Sequence, residues 1–132
     1  MAIPSGSGTE VLKRTNIHEQ GASETAFRWD GTQATTGTSS YTVPANHIIT
    51  VLSVVIHNEG ADTEEITMKA NVVNDSSGRW DIFFLQNQKI ESKETFVWSD
   101  KFVLAAGDYL LVDCASAAYV DFHLSYIDQD WS

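Results

Sequence analysis

Residues 48–57 read IITVLSVVIH, a segment dominated by β-branched side chains, which favour extended backbone. Apolar side chains occupy both of the faces that a strand would present here. The first face holds Ile48, Thr50, Leu52, Val54 and Ile56, and the second holds Ile49, Val51, Ser53, Val55 and His57. A strand that is apolar on both faces is typical of a central position with cover on each side. We therefore expect residues 48–57 to form the middle strand of a buried sheet.

Further extended segments follow this one, separated by turn sequences at intervals of roughly 8–12 residues, and no stretch keeps a helical period of 3.6 residues. This spacing predicts an all-β fold, a jelly-roll-like β-sandwich of about eight strands. Two facing sheets would bury Ile48 to Ile56, Ile66 to Ala70, Phe83 to Leu85, Phe96 and Trp98, Leu110 to Val112, and Val120 to Tyr126.

The first 40 residues differ in composition from the rest. Residues 1–8 are rich in small residues, Glu10 to Ile17 favours an extended segment, and residues 31–40 read GTQATTGTSS, where short hydroxyl side chains disfavour a helix. Residues 31–57 contain no Asp, Glu, Lys or Arg over 27 positions, which is typical of a desolvated contact. We therefore predict an extended N-terminal arm or partner-contact segment over residues 1–40 and a β-sandwich domain over residues 41–132.

Length and charge limit the classes of function. The 132 residues fit one domain, or one domain plus a tail, and 18 acidic against 8 basic residues give a net charge of −10. Such a charge disfavours binding to nucleic acid or to an anionic membrane. No signal peptide and no apolar segment long enough to span a membrane are present, so we expect synthesis in the host cytoplasm. The single cysteine, Cys114, lies in an apolar run and is expected to be a buried, inert thiol.

Patterns for catalysis or metal binding are absent from the sequence. The four histidines lack the spacing of a zinc site, and we expect His57 and His123 to form a structural pair across a sheet. Residues 74–81 lack the alternating acids of a calcium loop and are expected to be a solvated turn. No G-x-S-x-G nucleophile motif occurs. We therefore predict no enzyme activity, no catalytic residues, no cofactor and no metal.

Aromatic and apolar residues outside the expected core are candidates for contact with a partner, because exposed side chains of this kind mark subunit contacts more often than sugar platforms. The predicted contact residues are Val11, Trp29, Tyr41, Trp80 and Trp131. Two alternatives remain open. One is a carbohydrate-binding or host-receptor-binding module that uses Trp29, Trp80 or Tyr119 as a stacking platform, and the other is a small β-barrel hydrolase or metal enzyme.

Four segments together carry a family resemblance. They are the small-residue start at residues 1–8, YTVPA at 41–45 with the strand ending at Asn58, KFVLAAGD at 101–108, and VDFHLSYI at 120–127. Over about residues 41–127 this succession resembles the small β-sandwich virion structural proteins of tailed bacteriophages, of the head decoration, neck or tail accessory type. The resemblance implies a non-enzymatic virion protein that forms a homotrimer and contacts the major capsid protein or neck and tail proteins.

Overall fold

A computed structural model describes residues 8–74, 78–116 and 119–131 of the chain. These residues form nine strands and no helix, and so no helix able to cross a membrane. The strands are β1 (Thr9–Gln20), β2 (Thr25–Ala26), β3 (His47–Asn58), β4 (Glu64–Val73), β5 (Arg79–Ile90), β6 (Thr95–Trp98), β7 (Phe102–Ala105), β8 (Tyr109–Cys114) and β9 (Val120–Asp130).

The strands form two antiparallel sheets. Sheet A has the order β1-β9-β3-β6, with β7 also paired to β3, and sheet B has the order β2-β8-β4-β5. The predicted all-β sandwich is therefore confirmed, and β3 is central in its sheet as expected. If β6 and β7 are counted as one interrupted strand, each sheet has four strands. The jelly-roll assignment stays a prediction, which this strand order favours.

The core lies between the two sheets and uses alternate residues of β4 and β9, as the sequence predicts. In β8 the predicted burial of Leu110 to Val112 is confirmed. The fully buried side chains include Ile66, Met68, Ala70, Leu110, Val112, Phe122, Leu124 and Tyr126. Phe84 of β5 closes one side of the core, because its ring centroid lies 4.3 Å from that of Phe102 and 5.7 Å from that of Trp98. Phe83 differs from the prediction, since it points away from the core and is 46% exposed.

Strand β3 changes phase in its middle, so neither predicted face of residues 48–57 is buried along its whole length. Val51 pairs with Tyr126 and Ser53 pairs with Ser125, which leaves Leu52 as an extra residue in a β-bulge. Ile49 and Val51 are buried before the bulge, and Val54 and Ile56 are buried after it. The predicted cover on both sides of this strand is also wrong, because the outer face is open and Val55 is 36% exposed.

The N-terminal region also differs from the predicted division at residue 40. Strand β1 pairs with β9 from the Thr9–Asp130 pair to the Ile17–Phe122 pair, and β2 pairs with β8. Phe27, Trp29 and Ala34 are buried in the core. Within the described residues, positions 9–34 therefore belong to the sandwich and are not a separate arm. Residues 1–7 of the predicted arm lie outside the described part of the chain.

Candidate interaction surface

The outer face of sheet A carries a largely apolar row that crosses four of its five strands. The pairing register places Val103 of β7 beside Thr50, Thr50 beside Ile127, and Ile127 beside Leu12 of β1. Val103 is 58% exposed and Leu12 is 70% exposed. None of the four residues in this row can carry a charge.

A second row runs parallel to the first. Here Val97 of β6 lies beside Val55, Val55 beside His123, and His123 beside Asn16. Val97 is 54% exposed. We call the apolar residues of the two rows, together with Thr50, the sheet A patch. It is defined by Leu12, Thr50, Val55, Val97, Val103 and Ile127. Contiguous exposed apolar side chains of this kind mark contacts with other molecules in soluble proteins.

A shallow groove of about 650 Å³ lies on the same face, where the bulge turns both Leu52 and Ser53 outward. We call it the Arg14 groove. Its lining residues are Leu12, Lys13, Arg14, Gly31, Leu52, Ser53, His123 and Ser125. The groove combines two apolar side chains, two hydroxyl groups and basic groups, so it suits a ligand with an apolar body and an anionic edge.

The basic groups of the Arg14 groove are not equivalent. Lys13 is neutralised, because its Nζ atom lies 2.9 Å from Oδ2 of the buried Asp128. Within the described part of the chain, the side chains of Arg14 and His123 have neither a hydrogen-bond nor an ion-pair partner. The buried Oδ1 atom of Asn16 in the neighbouring row also lacks a partner there. The guanidinium of Arg14 is therefore available to an anionic group from another molecule.

The outer face of sheet B is built differently, and we call its polar side chains the sheet B network. Lys69 forms ion pairs with Glu24 (Nζ–Oε2 3.0 Å) and Asp81 (Nζ–Oδ2 3.4 Å), and Nδ2 of Asn71 donates to Asp81 Oδ1 at 2.9 Å. Burial opposes the charge of Lys69, but these carboxylates outweigh it and raise the pKa of its ammonium. The hydrogen bond from Asn71 contributes most to lowering the pKa of Asp81. The charged groups of this face are therefore paired with one another, and the exposed Val73 and Phe83 lie beside them.

Two of the predicted contact residues serve the fold itself. Trp29 is 2% exposed, and its ring lies edge-on to Tyr126 at 5.1 Å, so it is not available as a contact or a sugar platform. Tyr41 is half-buried under the guanidinium of Arg28, 4.6 Å from its ring centroid, and its hydroxyl donates to Asp30 Oδ2 at 3.1 Å. The hydrogen bond from Arg28 holds the pKa of Asp30 well below its usual range.

The other three predicted contact residues lie apart from one another. Trp131 is half-buried beside Gly8, and its backbone N–H donates to the carbonyl of Asn46 at 2.9 Å. Val11 is 49% exposed, opposite Asp128 on the inner side of β1. Trp80 is 62% exposed on β5 of the other sheet. The structure does not bring the five predicted residues together into one site.

The residues of the sheet A patch were missed by the sequence prediction, although a signal for one of them was present. Phe96 and Trp98 are expected to point inward, so alternation alone places Val97 outward. Leu12 had no such signal, because its strand was only weakly indicated and its partner Ile127 lies 115 residues away in the sequence.

Two further predictions concern chemistry. Cys114 is buried, as predicted, and burial raises the pKa of its thiol to about 12. His57 and His123 are not directly opposite each other, since His57 pairs with Asp121 and its Nδ1 lies 2.9 Å from Thr95 Oγ1. In residues 8–74, 78–116 and 119–131, no three His, Cys, Asp or Glu side chains are placed to hold a metal ion.

Comparison with known proteins identifies likeness in fold only. No protein-family model and no curated protein matches the sequence. The fold is similar to a chain of the Bacillus endospore appendages, which form a novel family of disulfide-linked pili, with a TM-score of 0.53, 12% identity, and coverage of 100% of this chain and 97% of that one. It is also similar to a chain of the T13 viral particle of infectious bursal disease virus, with a TM-score of 0.48 and 5% identity. That alignment covers 92% of this chain and 31% of the viral chain, so this protein spans about a third of its length.

Proposed function

We propose that this protein is a non-enzymatic structural subunit that assembles with copies of itself on a virion or another extracellular particle. The observation that carries the proposal is the sheet A patch, an exposed apolar surface that crosses every strand of one sheet. In its finer form, the proposal is a capsid decoration, neck or tail accessory protein of a tailed bacteriophage, forming a homotrimer and contacting the major capsid protein or neck and tail proteins.

Charge favours this face as the contact between copies. Each chain carries a net charge of −10, so copies repel one another wherever their acidic surfaces meet. The two rows of the sheet A patch contain no acidic residue. Glu10 and Arg14 border Leu12 at two residues on either side, and Asp121 lies two residues from His123 in the same strand phase. Apolar side chains can be desolvated there without the cost of burying unpaired carboxylates.

The comparisons support assembly at a general level. The chain of similar fold comes from Bacillus endospore appendages, which form disulfide-linked pili, and this chain aligns with it over its full length. The tailed-phage assignment is supported by the sequence resemblance over about residues 41–127. Location on the virion, the trimer and the capsid partner are part of the proposal on that basis.

Self-association of the purified full chain tests the proposal. We expect sedimentation velocity to show oligomers whose population rises with concentration in the wild type. Val97→Asp and Val103→Asp, both in the sheet A patch, should shift the protein to monomer because a carboxylate would be buried in the contact. Val73→Asp is the matched control, since Val73 is a valine of similar exposure (50%) on the outer face of sheet B.

A wild type that stays monomeric at all concentrations would contradict the proposal, as would equal weakening by the control. The finer assignment is tested by mass spectrometry and reconstruction of purified phage particles, which should contain this chain as ordered density on the head, neck or tail. Particles that lack it entirely would contradict the virion assignment but not self-assembly.

A second candidate function rests on one exposed side chain. Trp80 is 62% exposed and lies next but one to the exposed Ile82, so it could stack on a sugar ring as a carbohydrate-binding or receptor-binding module would require. Binding on a glycan array that is lost in Trp80→Ala, with the fold retained, would favour this function. Absence of binding by the wild type would exclude it for the glycans tested.

A further inference from the structure

We propose that copies of this chain associate head to face, with the acidic end of one copy seated in the Arg14 groove of the next. The proposal rests on the proposed function and specifies the contact that would join the subunits. Its occupant is a second copy of the same chain, recognised by charge and by one aromatic side chain.

The occupying end lies where β3 turns into β4 and β5 turns into β6. Tyr119 is 55% exposed there, and its carbonyl accepts the backbone N–H of Glu59 at 2.9 Å. The two turns carry four acidic residues, of which Glu59 and Asp62 line a pocket together with Tyr119. They also carry Lys93, whose Nζ donates to the carbonyl of Glu59, so acidic residues outnumber basic ones by four to one. We call this group the Tyr119 end, defined by Glu59, Asp62, Glu91, Glu94 and Tyr119.

The Tyr119 end is held in one conformation by a buried side chain. Asn58 is 1% exposed, and its Nδ2 donates to the carbonyls of Asp62 at 2.8 Å and Ile90 at 3.0 Å. Its Oδ1 accepts the backbone N–H of Gly60 at 3.0 Å. One amide thus ties the two turns together, so little conformational entropy is lost when this end is bound.

The groove and the end are complementary in both apolar and charged groups. Leu12 and Leu52 offer an apolar surface to the ring of Tyr119 from a second copy, and tyrosine is a frequent anchor in protein contacts. Arg14, which has no partner in the described residues, can pair with a carboxylate of the same end, such as Glu59 or Asp62. The other two arginines of the described residues are paired, since Arg28 donates to Asp30 and Arg79 donates to Asn71.

The geometry of this contact predicts the form of the assembly. The Tyr119 end lies at the end of the strands, whereas the Arg14 groove lies on the outer face of sheet A, so the two surfaces are different. A contact between two different surfaces leaves one of each free after every addition. The assembly therefore grows into a ring or a filament and does not stop at a twofold dimer.

Charge reversal with a matched control tests the contact on the full chain. We expect Arg14→Glu and Tyr119→Ala each to weaken self-association in sedimentation velocity by roughly tenfold or more. Lys89→Glu introduces the same charge change at an exposed lysine on the outer face of sheet B and should leave association unchanged. High salt should weaken the wild-type contact. Thermal unfolding of each variant establishes that it is folded.

Mixing the two variants gives a result that a general loss of stability would not produce. The Arg14→Glu chain keeps an intact Tyr119 end, and the Tyr119→Ala chain keeps an intact groove. An equimolar mixture should therefore form heterodimers and stop there. Failure of the mixture to form heterodimers would overturn the proposal.

The two proposals fail in different ways. If the wild type assembles and both variants assemble to the same extent, the head-to-face contact is overturned, but the proposal of a self-assembling subunit is not. A monomeric wild type would overturn both. If Arg14→Glu assembles normally but loses binding to an immobilised uronic-acid polysaccharide, the groove serves an acidic sugar and the second copy is the wrong occupant.

Discussion

The two outer faces of the sandwich use the same kinds of residue in opposite ways. On sheet B, Lys69 lies among carboxylates that neutralise it, and its side chain is only 18% exposed. On sheet A, Arg14 is exposed without a partner in the described residues and lies in the groove beside the exposed Leu12. Both sheets contribute buried side chains to the core, and the core alone explains neither arrangement.

The difference lies in the cations, because Lys69 is paired within the chain, whereas Arg14 has no partner in the described residues. A cation that is satisfied within its own chain gains little from a second molecule, whereas an unpaired one beside apolar side chains gains charge-assisted hydrogen bonds on docking. The comparison therefore predicts that the two faces respond differently to substitution. Substitutions on sheet B should change stability and leave association alone, and substitutions on sheet A should do the reverse.

The largest effect on stability is expected from Lys69→Met. The change leaves Glu24, Asp81 and the nearby Asp113 without their shared cation, and we expect a loss of about 1–2 kcal/mol in the free energy of unfolding. Urea denaturation measures it, with Lys89→Met as the control for removing an unpaired lysine from the same face. Self-association should be unchanged. A loss equal to that of the control would show that the sheet B network contributes nothing to stability.

Deletion of Leu52 is expected to have the next largest effect and to act on the other face. Without the extra residue, Val51 and Ser53 become neighbours in a regular ladder opposite Tyr126 and Ser125, so the inward phase of the strand is kept. We expect a folded protein that is less stable by about 1 kcal/mol, because a half-buried leucine is lost. Association should fall, since the groove loses part of its apolar lining. If circular dichroism shows that the deletion variant is unfolded, the bulge is required for β3 to pair with both β6 and β7.

The same bulge marks the limit of what could be predicted from the sequence. Alternation identified the inward faces of β4 and β9, because regular strands keep a period of two. In β3 the extra residue shifts that period, and the uniformly apolar sequence of residues 48–57 hides the shift. Only pairing with Ser125, 72 residues after Ser53, reveals it.

The N-terminal region was mispredicted for a related reason. Its small and hydroxyl-bearing residues favour an arm when they are considered locally. Their place in the fold depends on distant partners, since Trp29 packs on Tyr126 and the Gly31 N–H donates to the hydroxyl of Tyr126 at 3.0 Å. The candidate surface was hidden in the same way, because Leu12, Thr50, Val103 and Ile127 become a row only when four strands are in register.

A smaller effect on stability is expected from Leu12→Ser in the sheet A patch. Leu12 is 70% exposed, so the free energy of unfolding should change by less than about 0.5 kcal/mol. Association should nevertheless weaken, because this side chain belongs to both the apolar row and the Arg14 groove. Ile82→Ser is the control, at an exposed apolar residue of sheet B. If both substitutions weaken association equally, the contact is not specific to sheet A.

The smallest expected effect is a pH-dependent change in melting temperature caused by a substitution at Asp113 on sheet B. Burial, and then the charge of Glu24, raise the pKa of Asp113 in the folded protein above its ordinary value. A raised acid pKa means that the charged form costs stability at every pH above it, and that this cost vanishes below the unfolded pKa of about 3.9. Asp113→Asn should therefore raise the melting temperature slightly at neutral pH, and the gain should disappear as the pH falls toward that value. Asp100→Asn, at an exposed aspartate between β6 and β7, is the control and should show no such pH-dependent gain. A variant less stable than the wild type at neutral pH would mean that Asp113 is stabilised by Lys69 more than it is penalised by burial, and the sheet B network would then extend to a third carboxylate.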